Sequence, residues 1–192
     1  MRKKLPLIFF LILSAIIVGA ILKQTATKSN NSDSDAWKTY QSKEFSFALS
    51  YPPQWTPQAE TSNISFASPK KDSDPFAPYV RVTKNFSGPD FDAVGAFNNI
   101  YDTKPNTKIE NPNQGDIVID ATVTKVGNLV VDGQQATKVL EESTIPGPFY
   151  ATRIYVLFNN QVWVISSVAP TKEELTAQEP DFDKAISSFE FL

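Results

Sequence analysis

An α+β fold, an αβα sandwich with a central antiparallel sheet and helices on both faces, is predicted by three features of this 192-residue sequence. Two apolar segments, Phe149–Phe158 and Gln161–Ala169, flank Asn159-Asn160 and are hydrophobic on both of their faces. Several other segments alternate apolar and polar residues with the period of a strand. Two helix-start signatures, Ser87-Gly88-Pro89-Asp90 and Thr171-Lys172-Glu173-Glu174, stand apart from them. A hairpin apolar on both sides must be covered on both sides, which places it centrally in a sheet between helical layers.

Before the folded part comes Arg2-Lys3-Lys4, then an apolar run from Leu5 to Leu22 relieved only by Pro6, Ser14 and Gly19. Its eighteen residues span about 27 Å as a helix, close to the ~30 Å of a bilayer core. The run has no polar face, which fits badly with a buried core helix. One N-terminal transmembrane helix over 1–22 is therefore expected to precede the sandwich. The basic residues set its amino end in the cytoplasm and the rest of the chain outside. A cleaved signal peptide is the rival reading, because Val18-Gly19-Ala20 supplies small residues for cleavage. Residues 23–36, KQTATKSNNSDSDA, have nothing to bury and read as a flexible linker holding the domain roughly 20 Å from the membrane.

From Trp37 to Leu192 one domain is expected. Phe45, Phe47, Leu49 and Tyr51 alternate with Glu44, Ser46, Ala48 and Ser50 as a strand with one buried face, stopped by Pro52-Pro53. Further strands fall at Asn63–Ser68 and Tyr79–Asn85. After Ser87–Asp90, a helix with the stripe Phe91, Val94, Phe97 and Tyr101 follows. Lys104–Gln114 reads as a loop, and strand character returns at Ile117–Val126, Leu129–Val131 and Gln135–Glu142. In the hairpin the asparagines tolerate the positive φ of a tight turn, which sets Val156 opposite Trp163 and Ile154 opposite Ile165. Leu157 then meets Val162, and Tyr155 meets Val164, on the other face. A capping box at Thr171–Glu174 opens a short helix. Pro180 is expected to restart helical structure, with Phe182, Ile186 and Phe189 at i, i+4 and i+7.

Composition excludes much chemistry. There is no Cys, hence no disulfide, thiolate nucleophile, zinc-thiolate site or lipid-bearing cysteine. There is no His, hence no imidazole base and no usual transition-metal ligand. Setting aside Arg2, Lys3 and Lys4 leaves 15 basic against 21 acidic residues, a net charge of −6. An acidic chain with no basic cluster beyond Lys70-Lys71 argues against nucleic-acid binding.

The remaining candidates each have a plain structural explanation. Trp55 after Tyr51-Pro52-Pro53 is a possible ligand platform, but a packing role under the first turn is the commoner use of an aromatic. Asp72-Ser73-Asp74 offers oxygens to Ca²⁺ yet lacks the glycine and distal glutamate of an EF-hand loop. Asp90–Asp92 and Asp181–Asp183 read as acidic residues at helix starts, favoured by the helix dipole. Glu141-Glu142 and Glu173-Glu174 are paired carboxylates of the kind glycosidases use, but neighbours on a strand point to opposite faces.

Trp37–Tyr40, with Phe45-Ser46-Phe47-Ala48-Leu49-Ser50-Tyr51-Pro52-Pro53-Gln54-Trp55, resembles the opening of PsbP-like domains, an alternating aromatic strand running into Tyr-Pro and Trp. Phe182, then Ile186-Ser187-Ser188-Phe189-Glu190-Phe191, resembles that family's closing helix and Ser-Phe-x-Phe tail. Glu44 stands where the family often has glycine. The resemblance implies the αβα sandwich already expected. In photosynthetic organisms such domains assist photosystem II at the lumenal side and affect calcium and chloride retention, but a fold does not carry function across such distances. The expectation is an extracytoplasmic, membrane-tethered binding or assembly module with no catalytic, cofactor-binding or metal-binding residues. Its partner is an unspecified protein or small molecule. The alternative is a carboxylate-dependent hydrolase of envelope glycans.

Overall fold

The computed structural model describes residues 36–84, 92–109, 121–144 and 148–192. The strands in chain order are β1 (Lys38–Ser42), β2 (Phe47–Tyr51), β3 (Thr56–Ala59), β4 (Asn63–Ala67), β5 (Tyr79–Lys84) and β6 (Lys108–Ile109). They continue with β7 (Ala121–Val131), β8 (Gln134–Ser143), β9 (Phe149–Phe158), β10 (Gln161–Ala169) and β11 (Glu190–Phe191). Helix α1 (Ala93–Tyr101) lies between β5 and β6, and α2 (Lys172–Ser187) between β10 and β11. The expected membrane segment and linker fall outside the described residues, except Ala36. None of the described helices is long and apolar enough to cross a membrane.

The hairpin that organises the fold forms as its sequence requires. Asn159 and Asn160 take φ of 51° and 58°, and Leu157, Val156, Tyr155 and Ile154 pair with Val162, Trp163, Val164 and Ile165. The hairpin sits in the middle of an antiparallel sheet of order β3-β4-β5-β10-β9-β8-β7-β6. A second tight turn, Asp132-Gly133 at φ 46° and 72°, joins β7 to β8. Here the chain needs two consecutive left-handed residues, the geometry that Asp-Gly supplies.

The two faces of the sheet are covered differently. On one, Ile154, Val156, Trp163 and Ile165 pack with Phe182, Ala185 and Ile186 of α2. The small sheet β1-β2-β11 joins this layer through Phe47, Leu49 and Tyr51. Phe47 stacks on Phe189 at 5.4 Å and meets Trp163 edge-on at 6.3 Å. On the other face, Phe97 and Ile100 of α1 pack on Val123, Val139, Tyr155 and Val164. Full burial of each such side chain is worth about 1.5–3 kcal/mol, so these two layers hold the sandwich together.

Several expectations are corrected. Ser46 is not on the exposed face of a strand: it turns at φ 56°, and β2 begins at Phe47. Helix α1 starts at Ala93, with the Asp92 side chain accepting from Gly95 N at 2.9 Å, so Asp92 is the cap; residues 85–91 lie outside the described residues. Strand β6 forms inside the expected loop 104–114, paired with Val123 and Thr124; residues 110–114 are not described. The two strands expected around 117–131 are one from Ala121 onward, with a bulge between Lys125 and Gly127. The inserted residue reverses the alternation, so Leu129 and Val131 reach the α2-side core while Val123 faces α1.

Pro180 does not restart a helix. It lies within the continuous α2, so Asp181 and Asp183 are interior helix positions rather than a start. The buried face Leu175, Gln178, Phe182, Ala185 and Ile186 runs straight through the proline. Docking of that face offsets the ~3 kcal/mol that an interior proline costs a helix.

Candidate functional site

Helix α2 and the loop Ser68–Pro78 flank an open cleft of ≈200 Å³. The loop is held by a short set of bonds. Both Ser68 N and Ser68 Oγ donate to Pro78 O at 2.9 Å, and Asp74 N donates to Lys71 O at 3.2 Å. Lys71 Nζ crosses to Glu174 Oε1 of α2 at 2.7 Å. That hydrogen bond and charge, with a smaller contribution from Asp74, raise the Lys71 pKa above its ordinary value. Glu174 is already positioned by the capping box, its backbone N donating to Thr171 Oγ1 at 3.2 Å.

Trp55 forms one wall of this cleft. Its backbone N donates to Pro52 O at 3.1 Å, and its ring is buried in the α2-side core, the packing role under the first turn. Gln178 forms another part of the lining. It is 7% exposed, and neither Nε2 nor Oε1 has a hydrogen-bond partner among the described residues. Sequence reasoning missed it. The one available signal was a Gln at a position on the apolar stripe of α2 where its helical neighbours are Leu175 and Phe182.

The other acidic candidates are dispersed. Asp72-Ser73-Asp74 sits in the cleft-side loop, with Ser73 Oγ donating to Asp74 Oδ1 at 3.1 Å. No group of three or more potential metal ligands converges among the described residues. Glu141 and Glu142 do point to opposite faces. Glu141 is buried and ion-paired with Arg153, whose Nη1 also donates to Ser166 Oγ at 3.1 Å. Burial opposes the Arg153 charge, but Glu141 outweighs it and the guanidinium pKa is raised. Glu142 lies on the other face near Lys172, at 3.7 Å.

A second cleft, ≈140 Å³, carries Glu142 and Glu179. Their side chains are 54% and 49% exposed, and each faces a lysine: Lys172 for Glu142, Lys138 at 3.0 Å for Glu179. A glycosidase sets an enclosed acid against a second carboxylate across the scissile bond. In the first cleft Glu174 and Asp181 share one helix, seven residues and thus about 10.5 Å of rise apart, rather than facing each other.

The architecture is the PsbP-like fold. The solution structure of cyanobacterial PsbP (CyanoP) from Synechocystis sp. PCC 6803 matches with a TM-score of 0.53 at 11% identity, over 88% of this chain and 99% of that one. LpqN, involved in cell envelope biogenesis of Mycobacterium tuberculosis, matches at 0.46 and 13% identity over 83% of this chain and 86% of its own. The Saccharomyces cerevisiae Ran-binding protein Mog1p matches at 0.46 and 12%, over 82% and 96%. At such identities the likeness concerns the fold. No protein-family model and no curated protein matches the chain.

Proposed function

We propose that this chain is an extracytoplasmic, membrane-tethered binding module without catalytic activity. One observation supports the reading: in the cleft beside Trp55, Glu174 is engaged by Lys71 at 2.7 Å and Asp181 lies about two turns further along the same helix, so its carboxylates do not oppose each other across a substrate as hydrolysis requires. The tether rests on the apolar length of Leu5–Leu22 and the preceding basic residues.

Fractionation tests the placement. The full chain sediments with membranes and resists carbonate, and external protease releases a fragment beginning between Lys23 and Ala36. A soluble mature protein starting at Ile21 overturns the tether. Incubation of the purified full chain with envelope glycans tests the chemistry: no product is expected. Hydrolysis lost in Glu142→Gln or Glu179→Gln would establish the hydrolase instead.

A further inference from the structure

On the α1-side face of the sheet, the strand register gathers a row of polar side chains away from the cleft beside Trp55. Ser65 pairs with Arg81, Arg81 with Ser166, and Ser166 with Arg153, across four neighbouring strands. Their strand neighbours Ile64, Phe66, Val80, Val82 and Ile165 fill the α2-side core, so the row itself points the other way. None of its members belongs to the apolar core under α1. The two arginines of the row differ in one respect. Arg153 has its carboxylate: Nε donates to Glu141, and Nη1 donates to Ser166 Oγ at 3.1 Å. Arg81 has no ion pair among the described residues.

Arg81 is nevertheless held in place. Its Nε donates to Ser65 Oγ at 2.9 Å. Ser65 Oγ donates in turn to Asn63 Oδ1 at 3.5 Å, and Asn63 Nδ2 donates to Glu60 Oε2 at 2.9 Å. The relay ends on a carboxylate, which only accepts, so each link has a fixed direction and the Ser65 oxygen is left to receive Arg81. The Tyr79 ring centroid lies 4.8 Å from Arg81 Cζ, a cation–π contact that helps hold the guanidinium. Nη1 and Nη2 have no partner among the described residues, and, unlike the Trp163 indole N–H, neither is closed off from water. Holding a long side chain still costs rotamer entropy, which a merely solvated arginine does not spend. Here both anchors spare the terminal fork.

We propose that Arg81 anchors an oxyanion site on this face, binding a carboxylate through parallel N–H bonds from Nη1 and Nη2. The inference rests on the binding-module reading and names the chemistry that the module recognises. A planar carboxylate presents two oxygens to the two donors of a guanidinium edge. The net charge of −6 beyond the basic amino terminus repels a dianion more than a monoanion, which sets a carboxylate ahead of a phosphate. The acid group belongs either to a small molecule or to an acidic side chain of a peptide.

The test uses the full chain in detergent micelles, labelled with ¹⁵N-arginine and titrated at constant ionic strength. Arg2, Arg81 and Arg153 are the only arginines, so three Nε–H signals report. Sodium propionate and acetyl-Glu-amide are the probes, with acetyl-Gln-amide and inorganic phosphate as comparisons. Saturable shifts at Arg81 are expected with both carboxylates and not with acetyl-Gln-amide, while Arg2 stays unmoved. The tighter of the two carboxylates identifies the source of the acid group. Arg81→Lys keeps the charge but loses the fork and weakens binding about tenfold; Arg81→Gln abolishes it. No saturable shift at Arg81 overturns the site. Undiminished binding in Arg81→Lys overturns the fork and leaves only diffuse charge. Phosphate binding more tightly than either carboxylate overturns the ligand class. A soluble mature chain or a glycan hydrolase activity would refute the proposed function yet leave this titration unchanged, so the two failures are distinguishable.

Discussion

Trp163 stands in the α2-side core. It is 1% exposed, edge-on to Phe47 at 6.3 Å and to Phe191 at 5.1 Å, and it carries Lys84 Nζ 5.5 Å from its ring centroid. Its indole Nε1 is buried with no hydrogen-bond partner among the described residues. Two effects follow from different atoms of one side chain. Trp163→Ala empties the site and is expected to cost ~3–5 kcal/mol in urea unfolding. Trp163→Phe keeps most of the contacts and removes the orphaned N–H, so it should cost clearly less, under about 2 kcal/mol. Equal losses for the two variants would mean that the indole N–H is bonded. The pairing of this residue with Val156 was legible from the hairpin alone, because a two-residue turn sets the register. Ser46 was misread for a related reason: alternation marks a strand but does not mark where its first residue turns left-handed.

Among the elements, β8 and β9 are coupled by more than their ladder. Glu141 and Arg153 form an ion pair on the α1-side face, with side-chain exposures of 4% and 23%. The pair was invisible in the sequence. Glu141 was legible only as one of two adjacent carboxylates, and Arg153 interrupts an apolar run without announcing a partner twelve residues away. Removing one member strands the other charge out of water. Glu141→Leu is expected to destabilise the protein by about 3–5 kcal/mol, whereas the double variant Glu141→Leu with Arg153→Met should be near neutral or stabilising. Chemical denaturation of the three proteins checks this. A double variant as unstable as the single one would show that the Arg153–Ser166 bond, rather than the ion pair, secures the strands. Lys125 on β7 makes the same point about burial. It is 1% exposed, its Nζ donates to Tyr101 O, and desolvation lowers its pKa, an arrangement set by α1 docking on the sheet.

At the scale of the whole molecule, acidity alone does not make an ion site. The Asp72-Ser73-Asp74 loop lies against Lys71, and no cluster of oxygen ligands converges among the described residues. Calcium needs six to eight oxygens in one place. Diffuse attraction to a surface of net −6 is screened at physiological salt. The full chain should therefore show no Ca²⁺-dependent rise in melting temperature. Saturating a real site at a hundredfold excess over Kd would add ~2.7 kcal/mol, which calorimetry resolves easily. Saturable stabilisation abolished by Asp72→Asn with Asp74→Asn would reverse this expectation.

The sequence by itself determined the fold class, the central hairpin and its register, because these follow from local periodicity and from turn residues that tolerate positive φ. It also determined the capping box of α2 at Thr171, whereas α1 is capped by Asp92 rather than opened at Ser87–Asp90. What it left open was decided by packing between distant segments. Pro180 reads locally as a break, yet a buried face spanning both of its sides keeps α2 whole. The bulge after Lys125 exists because two cores on opposite faces claim successive parts of one strand. The cleft is the furthest from sequence of all. Trp55, Pro69, Lys71 and Gln178 come from three separated stretches of chain, and only the docking of α2 beside the Ser68–Pro78 loop brings them to one cleft. Local patterns record how a segment meets water, whereas a site records which segments meet each other.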